Sequence, residues 1–555
     1  MTKKKHGTNK LNYQLTITEN KGGGLSVNTE CQQNEVEVKS ILKCGESPNH
    51  KKTVSFNDVT VEQLADDIKD EVTKEVRHHR RTLSSVGKFT LLSEVPTNLS
   101  ITSCAMILEK PGIKHELLHK MIKEKLTSKY YRFRSKVVEY TTFEEIKDLD
   151  LDGHVKYEKL NVEDDLAEEE IENALRLKLS SFMNVPLDLN KPLWEVIIID
   201  DYPLGWVLFI RAHHCLGDGT SMALVLNQLC DQPININLPG EGGKSILKSN
   251  TRDKVKWRWT NIIFFWKIFQ VLYFFFIFAL GCALLAYKYL REGLRGKDPI
   301  TYFKGILSVK KRVAYSLNKI SVDDVRKAAK PFHATVNDVM LSCMAGALDR
   351  YSHRRDAVNP NAKLEKNNTH TQSRIRVAIP VNVRPPTELD IKPSNKFGFI
   401  ITSLPIGLRT DPVKQLKLTK SNMDFNKRLP EQFVSYKTSQ YCDLLPAPII
   451  RGTFEYLANF MTGVLTNVRG SSEATHINGL LVKDIIAFVP PPSGVGLGVA
   501  VFSYRGRVTV SFVTDDNLIK DPEMLVKDFE DCFEQLLQQA TADSLDEYVL
   551  DRKNK

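Results

Sequence analysis

The sequence predicts a layered α/β (α+β) fold built as two domains. Short apolar runs rich in β-branched and aromatic residues, typical of buried strands, alternate with segments of helical spacing in both halves of the chain. This alternation excludes a helix bundle and an all-β sandwich. At 555 residues the chain is too long for one core of ordinary size, and its 42% apolar content is enough to fill two.

The first segment in chain order, residues 1–88, is predicted to be a disordered tail. It is rich in Lys, Asn, Thr, Glu and Gly and shows little periodicity, so it buries too little apolar surface to offset its ordering entropy. Within the tail, Lys52–Phe56 resembles a phosphatase-docking peptide whose spaced apolar contacts would be Val54 and Phe56. Five-residue patterns also recur by accident, so plain tail is the alternative.

The net charge and the cysteine spacing indicate which kind of partner and which cellular compartment to expect. The formal net charge is +10, but the basic residues are scattered, which favours an anionic membrane or a phosphorylated small molecule over nucleic acid. No nucleic-acid motif is present. The nine cysteines never fall as CxxC, so we expect a reducing compartment, no disulfide framework and no metal site. The N-terminus lacks the apolar run of a secretory signal.

The first domain is predicted over residues 89–240. Before the histidine pair it has predicted helices over 115–129 and 167–182 and predicted strands over 136–140, 194–199 and 206–210. The last strand ends in the run HHCLGDG, His213–Gly219, and a further helix resumes at Thr220.

The HHCLGDG run has the composition of a catalytic loop. A neutral imidazole takes a proton from a hydroxyl near pH 7 better than any other unperturbed side chain, and His214 is the candidate base. Asp218 is placed to begin the following helix and to hold the loop. Gly217 and Gly219 are expected to turn the loop through backbone conformations that other residues resist. His213 is the first residue of the run and the other histidine in this candidate loop.

Other chemistries fit the run less well. No Ser or Cys lies in a nucleophile-elbow pattern, so a covalent acyl-enzyme is not required. Cys215 is a candidate nucleophile, although a small packing residue is the favoured interpretation. Two histidines and Asp218 would need further ligands to hold a metal. A single histidine in such a place is also often structural.

A basic linker, residues 241–312, contains an apolar membrane segment over 262–287. Its core, Ile268–Tyr287, is twenty residues without a charge, just enough to span a bilayer. Basic residues flank both ends, so neither orientation is favoured. If both halves build one site, a crossing is impossible, and we therefore predict an embedded or interfacial anchor. A buried core helix is the alternative.

The second domain, residues 313–555, also alternates predicted helices with predicted strands. The predicted helices cover 321–330, 335–349, 412–426 and 521–539, and the predicted strands cover 375–383, 397–404, 484–489, 497–503 and 507–513.

From about Phe89 to its C-terminus the chain resembles the bifunctional wax ester synthase/diacylglycerol acyltransferase family. In addition to HHxxxDG, ordered matches to the family's motifs occur at Tyr131–Arg134, Pro186–Asp188, Pro192–Glu195, Asn337–Leu341, Ile379–Arg384, Asn395–Gly398, Leu404-Pro405 and Thr466–Gly470. Arg469 departs from the pattern, since the family has proline there.

The resemblance implies two chloramphenicol-acetyltransferase-like domains that form a pseudo-dimer with a central tunnel. It implies fatty acyl-CoA as co-substrate, no cofactor, and a long-chain alcohol or diacylglycerol as acceptor, giving wax ester or triacylglycerol. His214 would be the general base, with His213, Asp218 and Gly219 shaping the loop. Asn337 would stabilise the oxyanion or cap its own helix, and Arg384 would pair with Asp218.

Two alternatives stay open from the sequence. One is an HHxxxDG acyltransferase with another alcohol acceptor, and the other is a non-catalytic lipid-binding protein of the same fold. The apolar segment over 262–287 favours a lipid acceptor, and the intact motif favours catalysis. The expected location is the cytosolic face of a membrane, namely the endoplasmic reticulum or a lipid droplet in a eukaryote.

Overall fold

The computed structural model divides into two units, Met1–Arg81 and Thr82–Lys555, and each is described by itself. The residues that the structure describes are 13–19, 25–31, 80–163, 165–232, 276, 279–294, 296, 298, 301–358, 374–384, 392–408, 410–441 and 445–553.

The first unit contains two paired strands. β1 (Tyr13–Glu19) and β2 (Leu25–Cys31) run antiparallel, in a register that starts with Tyr13 opposite Cys31. These strands depart from the disordered tail predicted over 1–88, because β1 alternates apolar and polar residues in the two-residue period of a strand. The peptide containing Val54 and Phe56 lies outside the described residues.

The second unit is built on two six-stranded sheets. The strands from β3 onwards are β3 Arg80–Thr82, β4 Ile101–Leu108, β5 Ser135–Val138, β6 Thr142–Glu145, β7 Val155–Glu158, β8 Trp194–Ile199, β9 Trp206–His213, β10 Lys311–Ser321, β11 Arg374–Asn382, β12 Phe397–Pro405, β13 Gly463–Arg469, β14 His476–Ile477, β15 Leu480–Phe488, β16 Leu497–Tyr504 and β17 Arg507–Asp515. The first sheet has the order β14–β15–β4–β9–β8–β7 and the second has the order β10–β17–β16–β13–β11–β12. A further short pair, β5 and β6, is antiparallel.

Helices pack around these sheets, which confirms the mixed α/β (α+β) class. The α-helices are α1 Ser85–Leu92, α2 His115–Ile122, α3 Glu168–Met183, α4 Gly219–Asn227, α5 279–294, α6 Val322–Ala329, α7 Val336–Val358, α8 Pro412–Lys427, α9 Glu431–Tyr441, α10 Ala447–Ala458 and α11 Pro522–Lys553. A π-helical turn (Lys123–Thr127) extends α2, and short 3₁₀ turns cover Tyr131–Arg134 and Lys330–Phe332.

The folded part of the second unit begins earlier than the predicted Phe89. Ser84 caps α1 by accepting a hydrogen bond from the Gly87 N–H, and Val86 is already buried. A side-chain cap of this kind satisfies a backbone donor that the first helical turn otherwise leaves unpaired. The sequence before Phe89 therefore contributes to the core, although its composition predicts only tail.

The two halves of the chain share one sheet. β15 comes from the C-terminal half, yet it pairs antiparallel with β4, with Phe488 opposite Ser103 and Ile486 opposite Ala105. Ile486 and Phe488 are buried in a cluster with β4 and β9 residues. The boundary predicted between 240 and 313 therefore separates the two sheets except for β14 and β15.

Helix α5 is the described part of the segment predicted to reach the membrane. Lys288 on its inner side is buried and forms a 2.6 Å ion pair with the buried carboxylate of Glu431. Its outer side carries an exposed apolar stripe, Leu280, Leu284, Tyr287, Leu290 and Leu294. Among the described residues no helix is both long and apolar enough to span a bilayer. Residues 262–275 of the predicted segment lie outside the described residues.

Candidate active site

Strand β9 delivers the histidine pair to the centre of the molecule. All eight residues of β9 are buried, and His213, its last residue, lies opposite Ile101 of β4. The next residue leaves the strand, and the His214 N–H donates to the Ser100 carbonyl at 2.8 Å. The two imidazoles point in different directions, since His214 lines the cavity and His213 does not.

His213 points into the protein and holds the loop. Its Nδ1 accepts a hydrogen bond from the Cys215 N–H at 3.0 Å, and its Nε2 lies 3.0 Å from Glu94 Oε2. An acceptor at Nδ1 places the proton on Nε2, so Nε2–H donates to the Glu94 carboxylate. His213 is therefore a positioning residue that fixes the peptide after His214.

The Glu94 carboxyl is suited to accept the hydrogen bond from the His213 Nε2–H. Burial raises the pKa of its carboxyl, but the hydrogen bonds from His213 and from the Ser100 N–H outweigh burial and lower the pKa below its usual value. The carboxylate is therefore ionised at neutral pH and accepts both hydrogen bonds.

The loop from His214 to Asp218 is held from outside by two other segments. The Arg132 guanidinium donates to the carbonyls of Cys215 and Leu216 at 3.2 and 2.9 Å, and Asn395 Nδ2 donates to the Cys215 carbonyl at 3.3 Å. Each contact satisfies a carbonyl that the turn leaves without a partner. The loop geometry is thus fixed before any substrate binds.

Asp218 is a buried structural anion at the base of the loop. Its Oδ1 caps helix α4 by accepting from the Ser221 N–H at 2.9 Å, and its Oδ2 accepts from the Lys396 N–H at 2.8 Å. The same Oδ2 lies 2.8 Å from the Arg384 guanidinium, which is also buried. The pairing of Arg384 with Asp218 is confirmed, and it joins the loop to the C-terminal half.

The expected role of the two glycines is wrong. Neither Gly217 nor Gly219 has a positive φ, so the loop needs no conformation reserved for glycine. Gly217 lies in a tight space, because a Cβ there would lie 2.9 Å from Met222 Cε, the end of a flexible side chain, and 3.1 Å from Ser221 Cβ. A Cβ at Gly219 would meet only Val468 Cγ2 at 3.7 Å, an ordinary contact.

His214 lines a cavity. Burial lowers the pKa of its imidazole, and the Asp218 carboxylate only partly opposes this effect, so the ring is neutral at pH 7. Its ring lies 5.3 Å from that of Phe397. Among the described residues Nδ1 has no hydrogen-bond partner.

The cavity has a volume of about 490 Å³, and both halves of the chain line it. His214, Asp218, Gly219 and Asn337 all contribute to its wall, whereas His213 and Cys215 do not. Most of the wall is apolar, including Phe133 and side chains of β4, β8 and β12. A largely apolar cavity with a few convergent polar groups is the usual form of a small-molecule site.

This arrangement bears on two of the open alternatives. Cys215 is fully buried and lies outside the cavity wall, which favours a packing residue over a nucleophile. Asn337 is not the cap of its helix, because Thr335 and Asp338 exchange hydrogen bonds at the start of α7. The Asn337 side chain is left facing the cavity, and its Oδ1 has no partner among the described residues.

Sequence reasoning missed three residues that hold the loop, namely Glu94, Arg132 and Asn395. Arg132 and Asn395 lie inside motifs that the sequence already singled out, at Tyr131–Arg134 and Asn395–Gly398. Their position in those motifs was therefore an available signal. Glu94 has no motif around it, and only the fold brings it to His213.

Comparisons with known proteins identify the family. The model of the wax ester synthase/diacylglycerol acyltransferase catalytic domain matches residues 83–340, and the model of the family's C-terminal domain matches residues 394–537. Wax ester synthase/diacylglycerol acyltransferase 5 of Arabidopsis thaliana is 28% identical over 495 residues, which cover 83% of this chain and 94% of that relative.

Solved structures share the fold. The wax ester synthase/diacylglycerol acyltransferase from Marinobacter aquaeolei VT8 superposes with a TM-score of 0.54 at 17% identity, covering 83% of this chain and 99% of that one. A starter condensation domain of rhizomide synthetase, in complex with C8-CoA and Leu-SNAC, gives a TM-score of 0.51 at 12% identity, covering 84% and 96%. At these identities the similarity establishes the fold alone.

Proposed function

The chain belongs to the wax ester synthase/diacylglycerol acyltransferase family of O-acyltransferases, and we propose that it esterifies a long-chain alcohol or diacylglycerol with fatty acyl-CoA. The observation that carries this proposal is the neutral His214 imidazole at the wall of an apolar cavity shared by both halves. The products are a wax ester or triacylglycerol together with free CoA, and the reaction needs no cofactor.

The proposed transfer is direct. His214 takes the proton of the acceptor hydroxyl as its oxygen attacks the thioester carbonyl. The new C–O bond forms, the C–S bond breaks, and the CoA thiolate takes the proton back from the imidazolium. This sequence uses no protein nucleophile, in agreement with the position of Cys215 outside the cavity wall.

Asn337 is the proposed oxyanion donor. The tetrahedral intermediate carries negative charge on the former carbonyl oxygen, and donors aimed at that oxygen are often the largest catalytic contribution. Its side chain lies in the same cavity wall as His214, and Thr335 rather than Asn337 caps the helix.

We propose a cytosolic membrane surface, the endoplasmic reticulum or a lipid droplet in a eukaryote, as the place of action. Helix α5 supports this proposal through its exposed stripe, in which Leu290 and Leu294 are 63% and 81% exposed. Apolar side chains of this kind bury well at the boundary between headgroups and acyl chains. The acceptors are themselves lipids, so an enzyme held at the surface meets them at high local concentration.

The experiment is a CoA-release assay on the purified full chain with palmitoyl-CoA and either hexadecanol or dioleoylglycerol. His214→Ala should lower the rate by about 100-fold or more, the usual effect of losing a general base. His353→Gln, at an exposed histidine of α7, is the matched control and should leave the rate unchanged. An undiminished rate in His214→Ala would remove the proposed mechanism, and the absence of ester with both acceptors would remove the proposed substrates.

A further inference from the structure

A cluster of three metal-ligating side chains lies on the outer side of helix α2. His115 and His119 are one turn apart, so they share a face of the helix, and their ring centroids are 4.0 Å apart. The Asp152 carboxylate approaches from the segment before β7, with Oδ1 3.6 Å from His119 Nδ1. One donor atom from each of the three side chains lies within 4.8 Å of the other two.

The donor set and its spacing suit a transition-metal ion. Two imidazoles and one carboxylate are ligands that Zn²⁺ accepts, whereas Ca²⁺ and Mg²⁺ prefer oxygen alone. Zinc bonds of about 2.0–2.1 Å in a tetrahedral site place ligand atoms about 3.3–3.4 Å apart. The three side chains must therefore close by about 1.5 Å at most, and His115 and Asp152 are exposed and able to rotate.

We propose that His115, His119 and Asp152 bind one divalent transition-metal ion of the Zn²⁺ class, with water in the fourth position. The sequence predicts no metal site, because Asp152, the third ligand, lies 33 residues beyond His119 and only the fold brings the two close. The proposal is independent of the acyl transfer, since none of the three side chains lines the cavity.

The position of the site gives the ion a structural consequence. Leu118 and Ile122, on the inner side of α2, line the apolar cavity, as does Leu126 in the π-helical turn. Asp152 belongs to a turn in which its N–H donates to Asp150 Oδ1 at 3.0 Å. A bound ion would therefore fasten a wall helix of the cavity to this turn.

The test is a calorimetric titration of the chelator-treated full chain with ZnCl₂, followed by Co²⁺ absorption spectra. We expect one saturable equivalent in the wild type and a Co²⁺ spectrum of tetrahedral type. His119→Gln and Asp152→Asn should each weaken Zn²⁺ binding by more than about tenfold, a loss that even outer-shell changes produce at such sites. His353→Gln removes an exposed helical histidine elsewhere and should bind like the wild type.

Two results would overturn the site. One is equal Zn²⁺ affinity and stoichiometry in the wild type, His119→Gln and Asp152→Asn. The other is no saturable Zn²⁺ binding by the wild type. Circular dichroism of each variant, matched to the wild type, ensures that a loss of binding reflects the ligand and not the fold.

Discussion

The ion pair between Asp218 and Arg384 makes a sharp prediction about stability. Both side chains are almost fully buried, with 6% and 1% of their surfaces exposed, and their charged atoms are 2.8 Å apart. Removing one partner of such a pair leaves the other charge buried without compensation, which costs about 3–5 kcal/mol. Asp218→Asn removes the charge and keeps a cap for the Ser221 N–H, and it also replaces the Oδ2 acceptor of the Lys396 N–H with an amide donor.

The reciprocal change, Arg384→Met, should cost less than Asp218→Asn. The Asp218 carboxylate keeps the backbone N–H donors of Ser221 and Lys396 after the guanidinium is gone. Hydrogen bonds to a charged group contribute about 1.5–3 kcal/mol each, so they retain much of the stabilisation of the anion. The guanidinium in Asp218→Asn keeps only neutral acceptors, namely oxygens of Ser221, Ser394 and Asn382.

The measurement is the free energy of unfolding in urea for the wild type and each variant. Arg326→Met is the control, because Arg326 forms an ion pair of similar length, 2.9 Å, with an exposed Asp323. Exposed pairs contribute about 0–1 kcal/mol. A loss for Asp218→Asn no larger than that for Arg326→Met would refute the assignment of Asp218 as a buried anion that joins the halves.

Three further predictions concern the base, its support and helix α5. Because burial lowers the pKa of His214, the acidic limb of the kcat/KM profile should lie below pH 6.5, and a limb at or above 6.5 would contradict the assignment of His214 as the base. As the pH falls, the unfolded chain binds a proton at His214 before the folded chain does. The free energy of unfolding should therefore decrease as the pH falls through 6.5 towards the folded pKa. Glu94→Ala should lower the free energy of unfolding in urea by about 1–3 kcal/mol, because it leaves the His213 Nε2–H unpaired. It should also lower kcat more than it changes KM. Glu94→Gln keeps an acceptor and should recover most of the stability and most of kcat. Lys288→Met should cost less than the about 3–5 kcal/mol of an uncompensated buried charge, because the Tyr289 hydroxyl and the Ile401 N–H still donate to Glu431 Oε1. Lys288→Met combined with Glu431→Gln removes the charge, keeps the Oε1 acceptor and should be milder, and equal losses in the single and double variants would count against the pair.

Local patterns predicted most of the elements around the site. The apolar run before the histidine pair was expected to be a buried strand, and all of β9 is buried. The helix that follows HHCLGDG begins at Gly219, next to the residue expected to start it. Such predictions succeed because strand and helix periodicities are local properties of the sequence.

Contacts between distant segments could not be predicted in the same way. Glu94 reaches His213 across 119 positions of the chain, and nothing in the composition around Glu94 marks it. The same limit applies to β15, whose pairing with β4 depends on register across the whole fold. The Arg384 pairing was reached only through the family resemblance, because no spacing rule connects it to Asp218.

Because β15 of the C-terminal half pairs with β4 of the N-terminal half, it matters where the chain is cut. A fragment that ends near residue 240 would leave the outer edge of β4 without its partner, and an unpaired, apolar sheet edge is a template for aggregation. Proteolytic nicking within residues 241–275, by contrast, would leave every β4–β15 hydrogen bond in place. The two pieces would then stay together through gel filtration, because the β4–β15 pairing joins them.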